Sequence, residues 1–533
     1  MTLPSFFSRF NAPDPRYAPV NELESFAGDI GTNSANRDDS SETPARKPDI
    51  KGVMILLSGL YRSLLPSFLQ PSRQMLKDAE KIEEPRHAPS TSSLDGLRGY
   101  AALAVMNYHI LYAYQSFVFY GYGLPSSAAK KCARPEDVNN HNLWIHQLPV
   151  LRMLYNGTWA ISVFFVVSGF ALSYKPLKES LNGSSGFTHA TRAVASSLLR
   201  RPIRLYLPPI IATFITMLAI QLGAYEHGRI VSHNHDLMPV IREPHQARLA
   251  SIWLQLGHWL GETWRMLNIF WWGDVMNQYD AHLWTISAEF RCSLAVFLIL
   301  PMYVRIRTVP RRSVMALLIL YVYFLDRWDV GLFFAGALIA DTAVGRLERR
   351  CEEGQLPALT HVPASRTRAT IINLSKAVLL ALSLLLLSSP DFCISDTPGY
   401  QLLGRLTPAS DPTPFRFVPN LGGILLVALV AHTAPSNRLV ATLLNAKLPQ
   451  YLGCISYSLY IVHGPLIHTL GYAVFPLFLS IAGREETWRY VVGFMAAYIV
   501  VVGAAVWLAD IFWRMVDIPC VRLGKGFEKY VCL

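Results

Sequence analysis

Ten apolar segments, each close to the length a helix needs to cross about 30 Å of hydrocarbon, run through this chain between residues 98 and 513. They lie at 98–119, 157–175, 204–224, 282–302, 313–327, 328–344, 371–389, 416–433, 450–472 and 490–513. Inside a bilayer every backbone N–H and C=O must find its partner within the protein, so spans of this length are helices. The expected fold is all-α: a polytopic membrane protein of about 10 transmembrane helices. The fifth and sixth segments are short and also fit a single hairpin. Composition agrees, because 52% of the 533 residues are hydrophobic and 16% charged, whereas a soluble protein carries about 25% charged residues. The lipid bilayer is therefore an expected partner of most of the surface.

The first 50 residues are polar and rich in Pro, Asp, Ser and Asn, the composition of a disordered cytosolic tail. Residues 51–70 are apolar but broken by Lys51, Arg62 and Pro66, which suits an interfacial helix better than a span. The chain thus divides into a tail at 1–90 and a membrane domain at 91–533. Within that domain, residues 251–273 hold Trp253, Trp259, Trp264, Trp271 and Trp272, the pattern of an aromatic helix at a membrane surface.

Formal net charge is +11. The basic residues cluster in short loops, at Arg305, Arg307, Arg311 and Arg312 and at Arg346, Arg349 and Arg350, with no aromatic-basic motif beside them. That distribution follows the positive-inside rule rather than a nucleic-acid surface. Alternating the sides from a cytosolic N-terminus puts the basic loops in the cytosol, so both termini are expected there, in an endomembrane or the plasma membrane. The seven Cys form no CxxC or Cys/His ligand pattern, so neither a metal site nor a disulfide framework is expected.

The first segment carries the chemistry most open to reading. Arg98 and His109 are 109 − 98 = 11 residues apart, which on a helix is about three turns, nearly one face, and a rise of ~16 Å. Arg98 then sits at the cytosolic mouth and His109 near the bilayer middle. An imidazole at that depth usually faces a wet cavity and can take a proton from an attacking hydroxyl. Helix packing fits His109 equally well, and a flanking charge fits Arg98.

Five blocks, in order, resemble one family. The first is the stretch Ser92 to His109, with a basic residue, ten others and then His. Phe164-Phe165-Val166-Val167-Ser168-Gly169-Phe170 is the second, and Arg200-Arg201-Pro202-Ile203-Arg204-Leu205 the third. The fourth runs from His282 through Leu283-Trp284 to Glu289-Phe290-Arg291, and the fifth from Tyr451 through Ser456-Tyr457-Ser458 to His463. Together they resemble acyltransferase family 3, with phrasing like that of fungal members.

The resemblance implies acyl-CoA-dependent O-acylation of a hydroxyl on a small molecule, lipid or carbohydrate, with acyl-CoA as co-substrate and no bound cofactor. It implies His109 as base, Arg98 as its basic partner and an acidic role for Glu289. Glu289 falls 289 − 282 = 7 residues into its segment, or ~10 Å. At that depth it suits either a contact with His109 or an ion pair with another helix. Arg98, Arg200, Arg201 and Arg204 are the candidates for CoA phosphates, with topology determination as the alternative role of the last three. Tyr457, Tyr460 and His463, at i, i+3, i+6, suit an acceptor cavity or helix packing. The competing function is a proton-coupled transporter that uses His109 and Glu289 as a relay.

Overall fold

A computed structural model describes residues 64–67, 91–134, 137–243, 245–355, 366–408 and 413–532. The N-terminal tail and the interfacial segment expected at 51–70 lie outside these, apart from residues 64–67. Among the described residues the regular structure is helical, with one isolated bridge between Asn277 and Asp280.

Thirteen longer helices carry the fold. They are α1 (Ser92–Tyr114), α2 (Thr158–Glu179), α3 (Gly186–Gln221), α4 (Ile252–Leu267), α5 (Trp284–Tyr303), α6 (Thr308–Phe324), α7 (Trp328–Gln355), α8 (Arg366–Leu387), α9 (Pro414–Ala431), α10 (Lys447–Leu466), α11 (Tyr472–Ala482), α12 (Thr487–Phe512) and α13 (Ile518–Val531). A π-helical turn, Ile467–Gly471, joins α10 to α11, and a second, Trp513–Asp517, joins α12 to α13.

Eight helices among the described residues are long and apolar enough to cross a membrane, so the expected count of ten is not reached on those terms. Two expected spans fall short for different reasons. Helix α6 has only 17 residues. Helix α1 has 23 but carries Asp95, Arg98, Asn107 and His109, and most of its residues are buried. A helix enclosed by other helices needs no apolar exterior, so hydropathy understates it.

Close crossings hold the bundle. An added Cβ at Gly169 of α2 would stand 2.1 Å from the Phe333 carbonyl of α7, and one at Gly336 of α7 would stand 2.1 Å from the Val166 carbonyl. Helices α1 and α10 meet in the same way: a Cβ at Gly99 would lie 2.6 Å from Gly453 N, and one at Gly453 would lie 2.4 Å from Asp95 O. Small residues let membrane helices approach until backbone touches backbone. Beyond α3, helix α4 exposes Trp253 and Trp264, while Arg291 of α5 donates to the carbonyls of Trp271 and Gly273 and anchors the aromatic loop.

The segments 115–134, 137–157 and 388–408 form a cap over one end of α1, α2 and α9. Asp391 accepts from Tyr108 Oη at 3.1 Å and Thr158 Oγ1 at 2.9 Å. The Arg416 guanidinium lies 5.2 Å from the Trp284 ring and 4.6 Å from the Trp328 ring. A disulfide joins Cys132 to Cys393 across this cap. It corrects the expectation that no disulfide is present: the partners are 261 residues apart in sequence, so no local spacing announces them. In the intact protein, Cys132 and Cys393 should resist alkylation until reduced, while exposed Cys532 reacts at once. Replacing both with Ser should cost about 2–4 kcal/mol and lower the thermal midpoint in detergent. Immediate labelling of Cys132 would contradict the bridge.

Candidate active site

The crossing of α1 with α10 sets His109 against His463, with ring centroids 5.2 Å apart. A third ring arrives from the start of α5. Asp280 caps the short turn Ala281–Leu283 by accepting from His282 N at 3.0 Å, and the same oxygen accepts from His282 Nδ1 at 2.8 Å. This double bond to one carboxylate locks the ring. His282 lies 4.0 Å from the His109 ring and 4.8 Å from the His463 ring, centroid to centroid. Gly464 makes room, since a Cβ there would stand 2.5 Å from His282 Nδ1 and 2.7 Å from Asp280 Oδ1.

A loop after α3 supplies the acid. Val240 N donates to Ala113 O at 3.3 Å and Ile241 N to Tyr112 O at 3.1 Å, pinning the loop to the end of α1. Glu243 thereby reaches the cluster. Its Oε1 accepts from Tyr112 Oη and lies 3.3 Å from His282 Nε2, and its Oε2 meets His468 Nε2 at 2.5 Å. Burial alone would raise the Glu243 carboxyl, but His282 and His468 hold it well below the usual carboxylate range, so it is ionised. His468 sits in the π-helical turn, a distortion that often marks functional sites. Beyond it a cleft is lined by Tyr225, His245, Tyr279, Asp280 and His468. Burial pushes His245 down to about 3, leaving it neutral.

Proton positions follow from the partners. Tyr112 spends its hydrogen on Glu243, so His109 Nδ1, at 2.9 Å from Tyr112 Oη, is the donor of that pair. His109 Nε2 is then a lone pair. His463 Nδ1 meets the Leu459 carbonyl at 3.2 Å and donates to it. His463 Nε2 and His282 Nε2 are both buried with no hydrogen-bond partner. Such a cluster can move protons. It also resembles a metal site in form, since one ligand atom each from His109, His282 and His463 lie within 4.8 Å of one another, as do those of Glu243, His282 and His468. Each ring nitrogen facing away from the first trio is hydrogen-bonded, as in metal-binding histidines.

The structure brings together some of the residues singled out by sequence and separates others. His109 lies five residues from the end of α1, not at its middle, because α1 starts at Ser92 and stops at Tyr114. Glu289 does not touch His109. Its Oε1 accepts from Arg201 Nη2 at 2.8 Å and from Ser168 Oγ at 3.0 Å, the interhelical ion pair, because it sits two turns along α5 from His282. Arg201 is thus committed to Glu289, and Arg200 to Glu528 at 3.1 Å. Arg98 pairs with Asp95 at 3.5 Å, and with Arg204 acts on both Asp95 and Asp517. Of the α10 trio, His463 joins the cluster and Tyr460 donates to the His282 carbonyl while meeting Thr285 Oγ1 at 2.5 Å. Tyr457 donates to Leu205 O at 2.6 Å, bracing α3.

Asp280, Glu243, Tyr112 and His468 carry no signal in the sequence reading, and His282 appears there only as the start of a block. The paired spacing Asp-x-His was the one visible clue. Gly464→Ala should push the Asp280–His282 pair apart, leaving a folded protein with activity lowered at least tenfold. An unchanged rate would mean that this pair does not matter.

Residues 91–514 match the acyltransferase 3 domain. The chain is 29% identical to the O-acetyltransferase PaAT-1 of Phomopsis amygdali, over 87% of each chain. It is 24% identical to acyltransferase R4 of a Phoma species and 24% identical to acyltransferase clz18 of Cochliobolus lunatus, in each case over 82% of this chain and 95% of the relative. No solved structure matches. With the domain match spanning most of a multi-helix membrane chain, the protein belongs to the acyltransferase 3 family and is an acyltransferase.

Proposed function

We propose that this acyltransferase moves an acyl group, acetyl in the first instance, from acyl-CoA to a hydroxyl of a small molecule, lipid or carbohydrate, within secondary metabolism. The observation that carries the reading is the free Nε2 lone pair of His109 inside a cluster of histidines, with Arg98 and Arg204 gathered near Asp95 toward the other end of α1. In this reading His109 takes the hydroxyl proton as oxygen attacks the thioester carbonyl. Arg98 and Arg204 hold CoA phosphates, with Arg200 at the edge. Arg201 and Glu289 brace the passage between, and Tyr460 and His463 face the acceptor. Acetyl as the acyl group leans on the name of the PaAT-1 relative.

Both termini are cytosolic in this proposal. A disulfide survives in an oxidising compartment, so the cap with Cys132 and Cys393 faces the lumen or exterior, in agreement with the charge bias of the loops. The transporter alternative asks His109 and Glu289 to exchange protons, and Glu289 is held instead by Arg201 and Ser168.

Comparing metabolites of wild-type and deletion strains should reveal a hydroxyl compound that accumulates and its missing ester. Purified protein given that compound and acetyl-CoA should release CoA. His109→Ala should lower turnover about 10²–10⁴-fold in a protein that still inserts. Arg98→Lys keeps the charge but loses the planar fork, so it should raise the KM for acetyl-CoA more than it lowers kcat. Full activity in His109→Ala would remove the base assignment. Reporters at residues 1 and 533 should both read cytosolic, and a lumenal signal from either would refute the topology.

A further inference from the structure

Two histidines of the cluster have opposite surroundings. His109 leans on a neutral phenol and keeps a lone pair on Nε2. The His282 ring lies between two acids, Asp280 at 2.8 Å from Nδ1 and Glu243 at 3.3 Å from Nε2. A neutral imidazole in that position would turn a lone pair toward one of the acids, whereas an imidazolium turns a positive N–H toward each, bonded at Asp280 and only near Glu243. Its side chain is almost wholly buried, and Nε2 is not aligned for a hydrogen bond to Glu243, so that N–H is left without an acceptor. Neighbouring groups pushed toward opposite protonation states are the mark of a paired acid and base.

Resting on the acyl-CoA reading above, we propose that His282 is a second catalytic residue, the general acid that protonates the departing thiolate. The acceptor oxygen bonds to the carbonyl carbon while its proton moves to His109 Nε2. The C–S bond breaks with its electrons on sulfur, and the His282 Nε2 proton moves to sulfur to give the free thiol. His109 now holds one extra proton and His282 lacks one. Their rings are 4.0 Å apart, and transfer from His109 Nε2 to His282 Nε2 restores both. The net result is ester plus thiol, with no proton gained or lost. Asp280 and Glu243 act as positioning residues that keep His282 charged.

The test uses the full-length protein in detergent, the hydroxyl compound accumulated by the deletion strain, and two donors: acetyl-CoA and S-acetyl-4-nitrothiophenol, whose thiolate leaves unprotonated. His282→Gln should lower turnover with acetyl-CoA about 10²-fold or more and recover at least tenfold of that loss with the aryl donor. His109→Gln should be equally slow with both, because its step precedes departure of the thiolate. Equal loss with both donors in His282→Gln would overturn the proposal. Asp280→Asn gives a second reading independent of the aryl donor: kcat for acetyl-CoA should fall with KM unchanged, and a rise in KM alone would overturn the proposal. So would activity lost to 1,10-phenanthroline and restored by zinc, since a metal would then occupy His282 Nε2. Failure of the wild type to release CoA from acetyl-CoA would instead refute the underlying acyl-CoA reading.

Discussion

Two helices can set histidine rings side by side inside a membrane only if their backbones nearly touch. Helices α1 and α10 reach that distance through glycine. Gly96 faces the Leu444 carbonyl, Gly99 faces Gly453 N, and Gly453 faces the Asp95 carbonyl, with no room for a Cβ at any of the three. Three residues in the opening block and one in the fifth block are therefore bound to the same contact. Once the crossing is made, His109 and His463 converge two to three turns further along, and His282 is the third ring of that trio. Asp280 places it by capping the turn ahead of α5 and gripping the ring with the same oxygen.

The polar groups at the start of α5 and two turns along it form two levels, kept apart by chemistry as well as distance. Near the cap, Glu243 and Asp280 surround His282, with Tyr112 and His468 satisfying the remaining Glu243 oxygens. Further along, Glu289 answers Arg201 and Ser168. Breaking a buried ion pair strands a charge at a cost of about 3–5 kcal/mol, so neither level can lend its acid to the other. This is why Glu289, the carboxylate inside the fourth block, is not one of the carboxylates beside the histidines.

The helices were legible from the period and length of apolar runs, because lipid admits little else. The first span was legible but set at 98–119, because its start at Ser92–Leu97 looks polar although the surrounding helices bury much of it, and this put His109 near the middle of α1 instead of five residues from its end. Arg98, His109 and His463 could be found because they lie on regular helices at countable offsets. Glu243 could not: it sits in a loop tied to α1 by two backbone hydrogen bonds, and no periodicity reaches it. Nor could the Cys132–Cys393 bridge, whose partners are separated in sequence by seven of the longer helices. For Glu289 the sequence left two partners open, and the structure has the ion pair with Arg201. Depth along one helix says how far down a side chain lies, not which neighbour it faces.

The placement of the two ends of α1 has a chemical consequence. Arg98 and His109 share a face but stand ~16 Å apart along the axis, and the packing of α1 against α10 and α2 leaves no freedom to change that length. In the proposed reaction the donor is therefore held by its phosphates at one end and attacked at the other, so the helix acts as a ruler for the arm between them. A donor whose acyl carbon stands close to its phosphates cannot reach His109, whatever its reactivity. Tyr460 meets Thr285 Oγ1 and donates to the His282 backbone carbonyl, beside the cluster. On the proposed reaction, donor specificity would come from distance and from the charge at the entrance.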